Sequence, residues 1–343
     1  MRALAALLAV IAVTSAAAAE TLRIATYNTE LSRRGPGLLL RDLERGSDPA
    51  IGAVIETIAA VQPDVLALQG FDWDLDLLAL KAFERRLALA GAPYPHLFAL
   101  QPNSGLASGL DLDGDGRTGG PGDAQGYGRF TGQGGMAVLS RLPILSGEAH
   151  DLSPLLWRDL PGALLPETPD GTPFPSAEAL AAQRLSSTGH WMVPLELPGG
   201  GRLTLLTFQA GPPVFDGPED RNGRRNHDEI RLWQLLLDGQ FGPVPQPPFV
   251  IAGGANLDPE RGEGQREAIR SLLTDPRLQD PRPESRAAGL NTVEWERAGR
   301  MRVDYVLPSA GLTVTGSGVH WPDGSGRAGG RHRLVWVDIL LQE

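Results

Sequence analysis

The sequence predicts a mixed α/β fold built with hairpins rather than a purely parallel sheet, and three observations predict it. Apolar–polar alternation and short apolar runs mark more strands than helices. The helical patterns lie between pairs of those strands. Gly199-Gly200-Gly201 separates two alternating segments, as a hairpin turn does. With 343 residues, the chain is long enough for one substantial core.

Residues 22–27 alternate and read as a strand, followed by a polar Gly/Pro stretch over 32–37. Ile51, Val54, Ile55 and Ile58 fall at helical spacing within 48–61, and Gln62-Pro63-Asp64 stops that helix. Residues 65–68 form a short buried strand and 75–90 a second amphipathic helix. Residues 103–135, rich in Gly and Asp, read as a long loop, and 136–139 as a strand. An irregular Pro-rich interval over 160–175 begins an insertion reaching 183. The hairpin pairs 191–197 with 203–208. Residues 226–237 are helical, with Ile230, Trp233, Leu236 and Leu237 on one face. Then come a buried strand over 249–252, a helix over 264–273, and strands over 302–307 and 334–339, with 312–314 a third.

Composition excludes several chemistries. The absence of cysteine removes disulfides, thiolate zinc, iron–sulfur clusters and a Cys nucleophile. Lys81 is the only lysine, which leaves almost no room for Schiff-base or P-loop lysine chemistry. A formal charge of −10 disfavours nucleic acid and anionic lipid as bulk partners. At the N-terminus, Met1-Arg2, an apolar run over 3–13 and the small residues of 15–19 have the layout of a signal peptide cut before Glu20. The run is too short for a membrane span, which needs about twenty residues. The expectation is an exported protein, periplasmic or extracellular and not inserted in a membrane, with one domain over 20–343.

Polar residues recur at the strand ends in a particular order. They are Thr26-Tyr27-Asn28, then 64–69 ending in Gln69, then 135–144, Gly253-Gly254-Ala255-Asn256, Arg302-Val303-Asp304, and Arg331-His332. In this order they resemble the endonuclease/exonuclease/phosphatase family, which has the deoxyribonuclease-I-like fold. The resemblance spans 22–339. It implies a four-layer sandwich of two mostly antiparallel β-sheets flanked by helices. It also implies hydrolysis of a phosphodiester or phosphomonoester assisted by a divalent cation, Mg or Mn. By position, Asn28 matches the residue that orients a metal ligand, and Asn256 one that contacts phosphate or water. His332 matches the catalytic histidine and Asp304 the carboxylate that orients it.

Four positions depart from the family pattern. Gly70 stands where the metal-ligating Glu belongs and Gly254 where the Asp that activates water belongs. Gln209 replaces a His, and Arg331 replaces the Asp before His332. Glycine has no side chain to ligate or to accept a proton, and a general base contributes typically 10²–10⁴-fold. Two readings follow. In one, displaced groups take over: Asp72 or Glu30 holds the catalytic metal, and Arg221, Arg224, Arg225 and His227 grip the substrate. The substrate is then a phosphorylated small molecule or nucleotide. In the other, the chain is a catalytically degenerate binding or scaffold protein, stabilised by calcium.

Calcium enters independently of the family. Asp111, Asp113, Asp115 and Gly116 have the order of a calcium loop, with Asp123 in reserve because Gly122 occupies the twelfth position. The same loop also reads as a solvated acidic turn. No His-x-x-x-His spacing points to zinc, and no Gly-x-Ser-x-Gly elbow to a serine nucleophile.

Overall fold

The computed structural model describes residues 21–322 and 329–341; the segment 1–19, which the sequence leads one to expect as a signal peptide, lies outside them. Six strands form the first sheet: β1 (Thr21–Asn28), β2 (Val65–Phe71), β3 (His96–Phe98), β4 (Gly135–Ser140), β12 (Thr313–His320) and β13 (Leu334–Leu340). Their order is β12-β13-β1-β2-β4-β3. The second sheet contains β5 (His150–Asp151), β6 (Gly189–Glu196), β7 (Arg202–Gln209), β8 (Phe249–Gly254) and β11 (Asp304–Pro308), in the order β11-β8-β7-β6-β5. A separate hairpin joins β9 (Val293–Trp295) to β10 (Gly299–Met301). Each large sheet has one parallel pair, β1–β2 and β7–β8, among antiparallel neighbours.

Period-two patterning sets the four layers. In β1, Ile24 faces inward and Ala25 and Tyr27 face outward; in β2, Val65 and Ala67 face inward and Leu66 and Leu68 outward. The inward set meets Val193, Leu205, Val250 and Val306 of the other sheet in a dry inter-sheet core. On one outside, α1 (Leu38–Arg45), α2 (Pro49–Val61) and α3 (Leu78–Leu89) cover the first sheet with Leu39, Ile51, Val54, Ile58 and Phe83. On the other, α5 (Arg221–Leu237) and α6 (Glu267–Leu273) cover the second with Ile230, Trp233, Leu236 and Ile269. A four-layer sandwich results, as the resemblance implies.

Element boundaries differ from the sequence reading where side chains act as caps or where polar residues are buried. Asp48 accepts from the amides of Ala50 and Ile51 and so caps α2 with Pro49 at its first position. Asp74 accepts from the Leu78 and Ala79 amides, so α3 begins at Leu78, not at 75. Helix α5 begins five residues earlier than its apolar pattern, because its first turns bury polar groups. The short helix α4 (Ala177–Ala182), capped by Ser176, closes the Pro-rich insertion.

Candidate functional site

The polar residues at the strand ends meet at one rim of the sandwich. Strands β1 and β2 run parallel and end together, bringing Asn28 opposite Gln69, next to Gly70. Strands β7 and β8 also end together, with Gln209 opposite Gly254. Asp304 begins β11 antiparallel to Gly254, and His332 lies just before β13, the neighbour of β1. Between these ends opens a cleft of about 1430 Å³, lined at its floor by Asn28, Glu30, Asn256, Arg331 and His332. Phe215, Trp295 and Arg300 stand on its walls.

Asp304 and His332 form a buried pair. The His332 Nδ1 lies 2.9 Å from Asp304 Oδ2 and 3.2 Å from Oδ1. Thr292 fixes the carboxylate by donating its hydroxyl to Oδ2 at 2.8 Å, while its oxygen accepts the Val303 and Asp304 amides. Burial pushes the His332 pKa down, but the Asp304 carboxylate and its hydrogen bond outweigh it, and the net shift is upward. The Trp295 ring stands edge-on to the imidazole at 6.0 Å. Asn256, at φ 51°, donates its amide to the Ala210 carbonyl at 2.8 Å, which orients its side chain at the cleft floor.

The glycine tips are filled by neighbours. A Cβ on Gly254 would overlap the Gln209 amide, which lies across the tip of β8. Gly70, at φ 67°, lets Glu30 pass close: a Cβ there would lie 2.9 Å from the Glu30 amide nitrogen and overlap the Asn28 side chain. Glu30, itself at φ 50°, turns toward the segment before β13. Its carboxylate accepts the Arg331 backbone amide at 2.5 Å and the Arg331 Nε at 2.6 Å, and pairs with the guanidinium. Burial opposes ionisation of Glu30, but its bonds to Arg331 and the proximity of His332 hold its pKa below the usual carboxylate value.

Other predicted site residues lie elsewhere. Asp72 does not line this cleft: its oxygens accept the Arg33 amide at 2.8 Å and the Gly134 amide at 2.9 Å, and burial raises its pKa. Asp258 does line the cleft, but its oxygens accept the Glu260, Arg261 and Arg302 amides. Arg225 is fully buried and donates to the carbonyls of Leu185, Gln125 and Arg184. Arg224 donates to the Leu165 carbonyl, and Arg221 to that of Leu112. His227 contacts Asp228, whose other oxygen accepts Trp157 Nε1 and the Leu164 amide. None of Arg221, Arg224, Arg225 or His227 lines the cleft; the three arginines fasten the loop over 103–135 and the Pro-rich insertion to α5. The density of these arginines in the sequence reads equally as a phosphate grip or as a set of donors to backbone carbonyls, and their hydrogen bonds are of the second kind.

In the acidic loop, Asp111, Asp113 and Asp115 each bring one carboxylate oxygen within 4.8 Å of the others. Burial and the nearby Asp123 and Asp115 charges raise the Asp113 pKa. Asp123 takes no part in this cluster: its oxygens accept the Leu112 and Gly120 amides at 3.0 and 2.7 Å. The sequence reading missed Thr292, Trp295 and Phe215. Trp295 lies on a three-residue strand, too short to show a period, and Thr292 becomes recognisable only once Asp304 is placed beside it.

The endonuclease/exonuclease/phosphatase family model matches residues 25–326. No match was found among curated proteins. Among solved structures, an endonuclease/exonuclease/phosphatase from Beutenbergia cavernae is similar at TM-score 0.57 and 18% identity, over 94% of this chain and 72% of that one. Sphingomyelinase C from Streptomyces griseocarneus gives 0.51 and 19%, over 93% and 99%. A mannosyl-6-phosphatase from Bacteroides thetaiotaomicron gives 0.51 and 13%, over 93% and 100%. At these identities the likeness shows the fold, whereas the family match extends through every strand-end motif up to residue 326, so the chain belongs to the endonuclease/exonuclease/phosphatase family.

Proposed function

We propose that this protein binds a phosphate ester in the cleft and has lost the metal-dependent hydrolysis associated with its family. The observation that carries this reading is the pair of refilled tips. Neither β2 nor β8 ends in a carboxylate, and the space for one is taken by Glu30 and Gln209. A hard divalent cation wants several anionic oxygens. Of the carboxylates that line the cleft, Glu30 is engaged by Arg331, Asp258 by three backbone amides and Glu294 by Arg300; Glu263 and Glu296 do not lie on the strand tips. The Asn28 amide oxygen accepts the Glu30 amide at 3.2 Å. That set does not fit Mg or Mn, so we route no step through a metal. Arg331 and the His332 imidazole, whose pKa the Asp304 carboxylate holds above its ordinary value, suit an anion instead, with Asn256 as a polar neighbour.

The ligand class is a phosphorylated small molecule or nucleotide; the net charge of −10 disfavours nucleic acid. The sphingomyelinase and the mannosyl-6-phosphatase of the same fold are named for phosphate-ester substrates, which supports this class. No helix among the described residues is long and apolar enough to cross a membrane. With its N-terminal signal, the protein works outside the cytoplasm, where calcium can occupy the Asp111–Asp115 cluster.

The test is hydrolysis of p-nitrophenyl phosphate, bis-p-nitrophenyl phosphate and DNA with Mg, Mn or Ca. No turnover above blank is expected, together with a ligand-dependent shift of the His332 ring signals when phenyl phosphate is added. A hydrolytic reading is favoured by the intact Asp304–His332 pair. Turnover that needs metal and disappears in His332→Ala would establish it and overturn ours.

A further inference from the structure

We infer that Arg331 takes the electrostatic place of a divalent cation at this site and that the Glu30 carboxylate is a built-in competitor for the anion that Arg331 would bind. This rests on the cleft being a phosphate-ester site and goes further: it assigns the cation, a reversible latch and independence from metal.

Three backbone features converge on the latch. Glu30 sits at φ 50°, Gly70 at φ 67° and Gly330 at φ 88°, regions that only glycine enters freely. Gly70 leaves room for the Glu30 backbone. A Cβ on Gly330 would meet Glu30 Oε2 at 2.7 Å, so that glycine leaves room for the carboxylate. The two ends are separated by 301 residues in sequence, yet the acid receives both the guanidinium and the backbone amide of Arg331. A carboxylate held by a guanidinium edge and an amide presents the same oxygen arrangement as two oxygens of a phosphate. Glu30 therefore mimics the ligand.

The pair is poised to exchange. The Arg331 side chain is 57% exposed and Glu30 19%, so solvent screens the ion pair and a dianion can compete. His332 adjoins the latch, because its charge is felt by Glu30 and that of Glu30 by His332. When a phosphate monoester enters, the Arg331 guanidinium and the adjacent His332 ring remain for it and the displaced carboxylate turns into the open cleft. A chain with carboxylates at 70 and 254 would need a metal to offset their charge. With glycine at both tips, the positive charge comes from the protein.

The experiment is titration of the purified protein with inorganic phosphate by calorimetry, with EDTA and again with Mn. Affinity is expected to agree within about twofold between the two conditions. Arg331→Ala should weaken it by about tenfold or more, and Glu30→Gln should tighten it by about three- to tenfold, the scale of one charge-assisted bond. Thermal melts of both variants check that the fold is kept. Binding that needs Mn, or that is unchanged in Arg331→Ala, overturns this inference while leaving a phosphate-ester cleft standing. No binding of phosphate or phenyl phosphate to either the wild type or Glu30→Gln overturns both.

Discussion

Two sets of positions at the cleft floor have diverged. At one, Asp304 and His332 are joined at 2.9 Å, steadied by Thr292 and buried. At the other, Gly70 lies one residue before the end of β2 and Gly254 ends β8, and neighbouring groups lie where acids would project. The first keeps a buried, hydrogen-bonded pair whose members depend on each other. The second is remodelled around the missing groups, so it is a finished surface and not a gap awaiting a side chain. The contrast teaches that loss of a catalytic group and loss of the space for it are separate events, and only the second resists simple reversal.

The largest expected effect comes from breaking the intact set. Asp304→Asn leaves His332 buried without its counter-charge, and removal of one partner of a buried pair costs on the order of 3 kcal/mol. The folded pKa of His332 is raised, so the pair stabilises the fold fully below the ordinary histidine pKa. That contribution is lost as pH rises through the raised value. The variant should therefore lose more stability at pH 5.5 than at pH 9 when denaturant melts are compared; equal losses would show that the pair is not charged. Next come the tips. Gly70→Glu meets backbone at positive φ and should cost about 3 kcal/mol, whereas Gly254→Asp meets only the flexible Gln209 end and should cost about 1 kcal/mol. Neither alone should create metal-dependent turnover. If Gly70→Glu melts like wild type, the refilled-tip picture fails.

Much of this was legible in the sequence because strand ends are fixed points. Asn28, Gly254, Asp304 and His332 each sit at or beside the end of a short patterned strand, so their order along the chain predicts their convergence. Helix α1 was not legible: Gly37 precedes it with no side-chain cap, and Leu38-Leu39-Leu40 shows no helical stripe. Nor was the direction of the arginine cluster, since Arg225 inside and an arginine outside have the same neighbours in sequence. The Glu30–Arg331 pair depends on the pairing of the first strand with the last, which no local pattern encodes.

The smallest expected effect concerns a region remote from both sets. Calcium should raise the melting temperature by about 2 °C through Asp111, Asp113 and Asp115, an increment of under 1 kcal/mol for a weak site. Asp113→Ala and Asp115→Ala should each abolish the increment without touching phosphate affinity. An identical melt in calcium and in chelator would leave that loop a solvated acidic turn.

Strand β1 lies between β2 and β13, so the first and the last strands of the described fold are neighbours in one sheet. This placement gives the site a timing. As the chain emerges from synthesis, β1 can pair with β2 once α1 and α2 have been made, whereas its pairing with β13 must wait for nearly the whole sequence and closes a longer loop at a somewhat larger entropic cost. Arg331 and His332 reach Asn28 and Glu30 only at that closure. The cleft is therefore incomplete until β13 docks, and a chain folded only through β2 holds Asn28 and Glu30 without their partners across the cleft.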